Sequence, residues 1–116
     1  MKIVLAVVCI VLVCNVAFAI DGWKGPGKVL SVMPAIFLTG DIEGGYPIIV
    51  KTDIPVPDCN GSNWWAIRGD LDDKNRLYSA VLTALATAKD VQLYQWSCYR
   101  VSGIYYGKIG AIEVQQ

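Results

Sequence analysis

The sequence predicts a mainly β domain with one helix, its elements in the order βββαββ, behind a leader that takes no part in the fold. Three observations predict it. Residues 71–99, LDDKNRLYSAVLTALATAKDVQLYQWSCY, read as an amphipathic helix that passes through a short turn into a strand. Runs rich in Val, Ile, Leu and Tyr lie on both sides of that segment, separated by turns that carry Gly and Pro. The first 19 residues have the make-up of an export signal.

In that leader, Lys2 gives a one-charge n-region and residues 3–13 an unbroken apolar run. Ala17-Phe18-Ala19 follows with the small-x-small pattern at which a signal peptidase cuts. A lipoprotein signal is disfavoured, because Val13 precedes Cys14 where a small residue is expected. Beyond residue 19 no run reaches the roughly 20 apolar residues that a transmembrane helix needs. The expectation is a single secreted or periplasmic domain over residues 20–116. Taking 19 residues from 116 leaves 97, and Lys2 leaves with them, so nine basic side chains face ten acidic ones.

A domain of that size hides a modest share of its surface, so a covalent staple has value. Cys9 and Cys14 belong to the leader; Cys59 and Cys98 remain, and for two thiols in an exported chain a disulfide is the default. Closing a loop of about 40 residues is worth roughly 4 kcal/mol in the chain-entropy account. The alternatives are two free thiols or half a metal site, the latter with no histidine or third cysteine to complete its ligand set.

The elements follow in order. Residues 20–27, IDGWKGPG, read as an irregular lead-in from which Trp23 folds back on the body. Residues 28–39 form the first strand, which bends, breaks or lies at an edge where Pro34 removes a ladder donor. The turn GDIEGG leads to a second strand at 46–52, paired with the first as a hairpin. A loop over 54–63 carries Pro55, Pro57 and Cys59, and a short third strand at 64–68 feeds the helix.

At about 100° per residue, Leu77, Tyr78, Val81, Leu82, Leu85 and Ala88 fall on one apolar arc of that helix. Asp70, Asp72 and Asp73 mark its start as caps and dipole partners, and Lys89 stands at its end. The back face, Ser79, Ala80, Thr83, Ala86 and Thr87, is small, with only Arg76 charged. Residues 91–99 are the fourth strand, with Val91 and Leu93 on one side and Tyr94, Trp96 and Cys98 on the other. Ser102-Gly103 turns the chain into a fifth strand at 105–114, where Gly107 and Gly110 suit a bulge or bend. This is the order of the OB-fold, a five-stranded Greek-key barrel with a helix plugging one end. An open sheet with the helix across one face has the same string of elements.

With no histidine in the chain, Ser-His-Asp and Cys-His nucleophiles and histidine zinc sites are excluded. Capping accounts for the three aspartates better than paired-carboxylate chemistry does. No catalytic residue, cofactor or metal is assigned, and the chain reads as a non-enzyme. Asn60-Gly61-Ser62 is a glycosylation sequon that matters only in a eukaryotic secretory pathway. The binding signal is aromatic: Trp64, Trp65, Tyr94, Trp96, Tyr99, Tyr105 and Tyr106 supply rings suited to stacking on sugars or packing against protein. Neighbours on a strand alternate faces, so Trp64 and Trp65 cannot both be core, nor Tyr105 and Tyr106. Scattered cations balanced by anions offer no basic groove for nucleic acid.

Some of these residues also carry a likeness. Cys59, Trp64-Trp65-Ala66-Ile67, the helical Tyr78-Ser79-Ala80-Val81-Leu82-Thr83-Ala84, then Lys89-Asp90-Val91-Gln92-Leu93 leading to Cys98, Tyr106 and Ile109, resemble small exported bacterial proteins with a subtilase-cytotoxin-B-like or pertussis-like toxin B-subunit fold. The likeness covers about residues 57–114 and carries over no sugar-binding residue. It implies an OB-fold, a Cys59–Cys98 disulfide, and a homo-oligomeric ring of five subunits that binds host-cell glycans. In such a ring the helices line a central pore, where the small back face would fit; the plain alternative is a mildly polar face open to water.

Overall fold

The computed structural model describes residues 21–34, 45–59 and 62–115. The leader, the last part of the strand expected at 28–39, most of the GDIEGG turn and Asn60-Gly61 lie outside them. The elements are β1 (Gly22–Pro34), β2 (Ile48–Val56), β3 (Ser62–Ile67), α1 (Lys74–Thr87), β4 (Asp90–Val101) and β5 (Ile104–Val114). The strands close into a barrel in the order β1-β2-β3-β5-β4, with β3 parallel to β5 and every other pair antiparallel. This is the OB-fold arrangement, and closure disposes of the open-sheet alternative.

β1 starts at Gly22, inside the stretch that its glycines and Pro26 mark as irregular. Trp23 pairs with Tyr94 and Gly27 with Val91, so the lead-in is the first half of a strand on β4. The second half, from Val29 to Pro34, pairs with β2. A strand that serves two partners around a barrel has to bend. The register breaks between Lys24 and Gly27 and between Val29 and Ser31, while Pro34 is the last residue of the strand.

Helix α1 gives Leu77, Val81 and Ala84 to the core and packs on β1, β3 and β5. These three positions are an i, i+4, i+7 stripe, narrower than the expected arc. Tyr78 is half-buried, and Leu82, Leu85 and Ala88 are exposed. The expected caps differ too. Asp73 sits at the N-cap without a side-chain capping bond, and Asp70 instead accepts a hydrogen bond from Arg68 Nε at 2.8 Å. At the other end Lys28 of β1 donates to Ala88 O at 2.6 Å and pairs with Asp90 at 2.8 Å. The cation that meets the last turn therefore comes from 60 residues away in sequence.

The interior follows strand alternation. Ile48, Val50, Trp65 and Ile67 point inward, joined by Val91, Leu93 and Ile109. Their neighbours Ile49, Trp64 and Ala66 point outward and pack with Tyr99, Val101 and Tyr106 in a second cluster on the outside of the barrel. Two features of β4 explain how Tyr99 reaches that cluster. Gln95 is opposite Ile109 and Cys98 opposite Gly107, so β4 spends three steps where β5 spends two. Ser97, with φ of 56°, takes up the extra residue as a bulge. Before it Val91, Leu93 and Gln95 face inward; after it Cys98 does, and Tyr99 and Val101 face out. The expectation that Cys98 shares a face with Tyr94 and Trp96 fails for this reason.

Cys59 and Cys98 are disulfide-bonded, with Cα atoms 5.7 Å apart. The bond fastens the loop that follows β2 to β4, and Cys59 is fully enclosed. Among the described residues no helix is long and apolar enough to cross a membrane.

Candidate functional site

The parallel pairing of β3 with β5 is confined to Trp65↔Gly107 and Ala66↔Lys108. On the N-terminal side of those pairs the outer face holds a groove of about 270 Å³, lined by Ser62 and Trp64 from β3 and by Ile104 and Tyr106 from β5. The four are i and i+2 positions on their strands, so each pair shares a face. Their neighbour Trp65 points the other way and supports the groove from within. Its Nε1 donates to Ile54 O at 2.9 Å, and its ring lies against Gly107. A Cβ on Gly107 would meet Val56 Cγ1 at 2.7 Å and Trp65 Cε3 at 2.9 Å, so the seam closes only around a glycine. Gly107 therefore serves close approach, whereas Gly110 sits at the expected irregularity, between the Tyr94↔Ala111 and Gln95↔Ile109 pairs.

The groove has an apolar wall and a polar rim. Lys51, opposite Trp64 on β2, holds its Nζ 5.5 Å from the Trp64 ring centroid, a cation–π distance. Ser62 Oγ accepts from the Trp64 backbone N–H at 3.4 Å. Burial pushes the Tyr106 phenol above its ordinary pKa of 10.0, because the phenolate would lose hydration there. The phenol is thus a neutral donor and acceptor at any physiological pH. Ring faces, a hydroxyl, a phenol and an ammonium are what a polyhydroxylated ring needs for stacking and hydrogen bonding.

Of the seven expected binding aromatics, the structure brings Trp64 and Tyr106 together. Trp65 and Tyr99 are enclosed and present no face to a ligand. Tyr99 lies under the Arg68 guanidinium, 5.8 Å from ring centroid to Cζ, and its hydroxyl donates to Gly45 O at 3.4 Å. Tyr105 is exposed, alternating away from Tyr106. Tyr94 and Trp96 stand on the outside of β4, apart from the groove lining, with Trp96 half-exposed beneath Lys108 Nζ at 4.6 Å. Residue-by-residue reading missed Lys51, Ser62 and Ile104. The period of two that places Trp64 and Tyr106 on one face would have found Ser62 and Ile104, but Lys51 depends on a cross-strand register that only the fold supplies.

A larger depression, of about 560 Å³, lies at the helix C-terminus between Lys28, Lys89, Asp90 and Gln115. Lys28 and Asp90 satisfy one another there, and no ring lines it. Among the described residues no group of three or more Cys, Asp or Glu side chains is placed to hold a metal ion. No protein family, curated protein or solved structure matches the chain.

Proposed function

We propose that this is an exported, non-enzymatic binding module of the toxin-B-subunit type, whose Trp64–Tyr106 groove takes the face of a host-cell sugar. The observation that carries the reading is the pairing of two half-buried rings with Ser62 and Lys51 on the outside of a closed barrel. A ring that served only to fill the core would not leave such a rim. The resemblance to exported bacterial B subunits supports the same reading and adds the expectation of a homo-oligomeric ring. A glycan array probed with mature protein tests it. Binding to a defined class of sugars, lost in W64A, is the expected result; a blank array for folded protein overturns it.

A second reading, a protein-interaction subunit that binds no sugar, is favoured by the exposed face of α1. Leu82 and Leu85 are 39% and 37% exposed. The Thr83 and Thr87 hydroxyls turn back onto Ser79 O at 2.9 Å and Thr83 O at 2.7 Å, so they offer water little. Light scattering separates the readings when combined with the array: an assembly with a blank array supports the protein reading, and a monomer that binds sugar supports the first without its ring.

A further inference from the structure

We propose that the groove is one end of a longer track, and that the ligand is an extended oligosaccharide whose successive rings lie along it. The proposal rests on the sugar-binding reading of the groove. Its own observation is a second outward group of rings on β1 and β4. Trp23 and Tyr94 are cross-strand partners with centroids 5.6 Å apart at an interplanar angle of 80°. Tyr94 and Trp96 are two residues apart on β4 and so share its outer face. Both lean over Gly110, where a Cβ would come within 3.2 Å of Trp96 Cβ and 3.5 Å of Tyr94 Cδ1.

This second group is continuous with the groove. Lys108 Nζ reaches the Trp96 ring at 4.6 Å. Lys108 pairs with Ala66 of β3 and stands two residues from Tyr106, on the same outward face. Tyr106 and Trp64 then line the groove itself. Each member of the series touches, pairs with or flanks the next, from β1 across β4 and β5 to β3. Along β5 the series runs from Tyr106 to Ala111, the partner of Tyr94, a strand length of at most about 17 Å, shortened by the irregularity at Gly110.

The shape of the series selects its occupant. A stable protein partner covers about 800 Å² on each side around a compact apolar centre. Here the rings form a diagonal one ring wide, interrupted by Gly110, Lys108 and Ala66. A narrow linear ligand with alternating apolar faces and hydroxyl edges matches it. Trp23 and Trp96 are 49% and 52% exposed, so half of each side chain remains available to such a chain, and Lys108 supplies donors between the rings.

The test uses an array in which each repeating sugar is present as a ladder from monomer to hexamer. The best-bound ladder is then titrated against wild type, W96A and Y94A, with circular dichroism showing that both variants fold. Affinity in the wild type is expected to rise about tenfold or more from the shortest bound member to the longest, the scale of one added aromatic stack. In both variants the long-to-short ratio falls toward one. Affinity that does not depend on length in the wild type, or a ratio unchanged in both variants, overturns the track and leaves the groove standing. Wild type that binds no ladder overturns the groove reading and the track with it.

Discussion

Inside the barrel Trp65 is fully enclosed, while one residue earlier and on the outside Trp64 is half-exposed beside Lys51. The regions around them differ in the same way. The inner cluster is apolar, closed by Leu77, Val81 and Ala84 of the helix, and stapled by Cys59–Cys98. The outer cluster is also apolar at its base, in Ile49, Ala66, Tyr99 and Val101, but its upper layer mixes rings with Lys51 and Arg68. Apolar composition therefore does not separate core from surface in so small a barrel. The phase of each strand separates them, and the outer cluster is where a second layer of rings can be left accessible.

The comparison predicts a graded response to substitution. The largest effect is expected from Trp65→Ala, which removes an enclosed ring and its bond to Ile54 O, at about 3–5 kcal/mol by denaturant unfolding. A loss below about 1 kcal/mol would erase the distinction between the faces. Replacing Cys59 and Cys98 together by alanine should cost about 2–4 kcal/mol, in line with a cross-link spanning 39 residues. Ile49→Ala, in the outer cluster, should cost about 2 kcal/mol, the low end for an enclosed isoleucine. Trp64→Ala should cost roughly 1 kcal/mol or less by denaturant unfolding while abolishing the proposed sugar binding on the array, an outcome that would mark the outer ring as functional rather than structural.

The smallest effect is in pH dependence. The Tyr106 phenol ionises at higher pH in the folded chain than in the unfolded one. Below pH 10 both states keep the proton and the group contributes no slope. Above it the unfolded chain loses its proton first, so stability falls as pH rises through that window. A spectrophotometric titration of wild type minus Y106F should show a phenol ionising above 10.0. Ionisation at or below that value would mean that the outer cluster does not shield Tyr106 from water.

How much of this was legible in the chain depended on the range of the interactions. Strand alternation is local, and it correctly separated Trp64 from Trp65. The element order βββαββ was equally readable, since each helix or strand announces itself in a short window. The first half of β1 was hidden because its pairing with β4 spans about 70 residues and overrides the Gly and Pro of 22–27. The cap at the helix C-terminus was hidden for the same reason, since Lys28 and Ala88 meet only once the barrel has closed. The groove was half legible: its aromatic members stood out, while Lys51 needed a register to bring it to Trp64.

The bulge at Ser97 has a consequence for how this barrel can change. It is a single residue of slack between two halves of β4 that use opposite phases. Straightening it with every residue kept, so that alternation ran on unbroken from Gln95, would leave the composition of the strand untouched and yet exchange the fates of its last residues. Cys98 would swing away from Cys59, and Tyr99 would be driven into an interior that Trp65 already fills. In this strand one unpaired residue decides what is inside: deleting it would close the ladder with Cys98 still inward, whereas drawing it into the ladder would turn the end of the strand inside out.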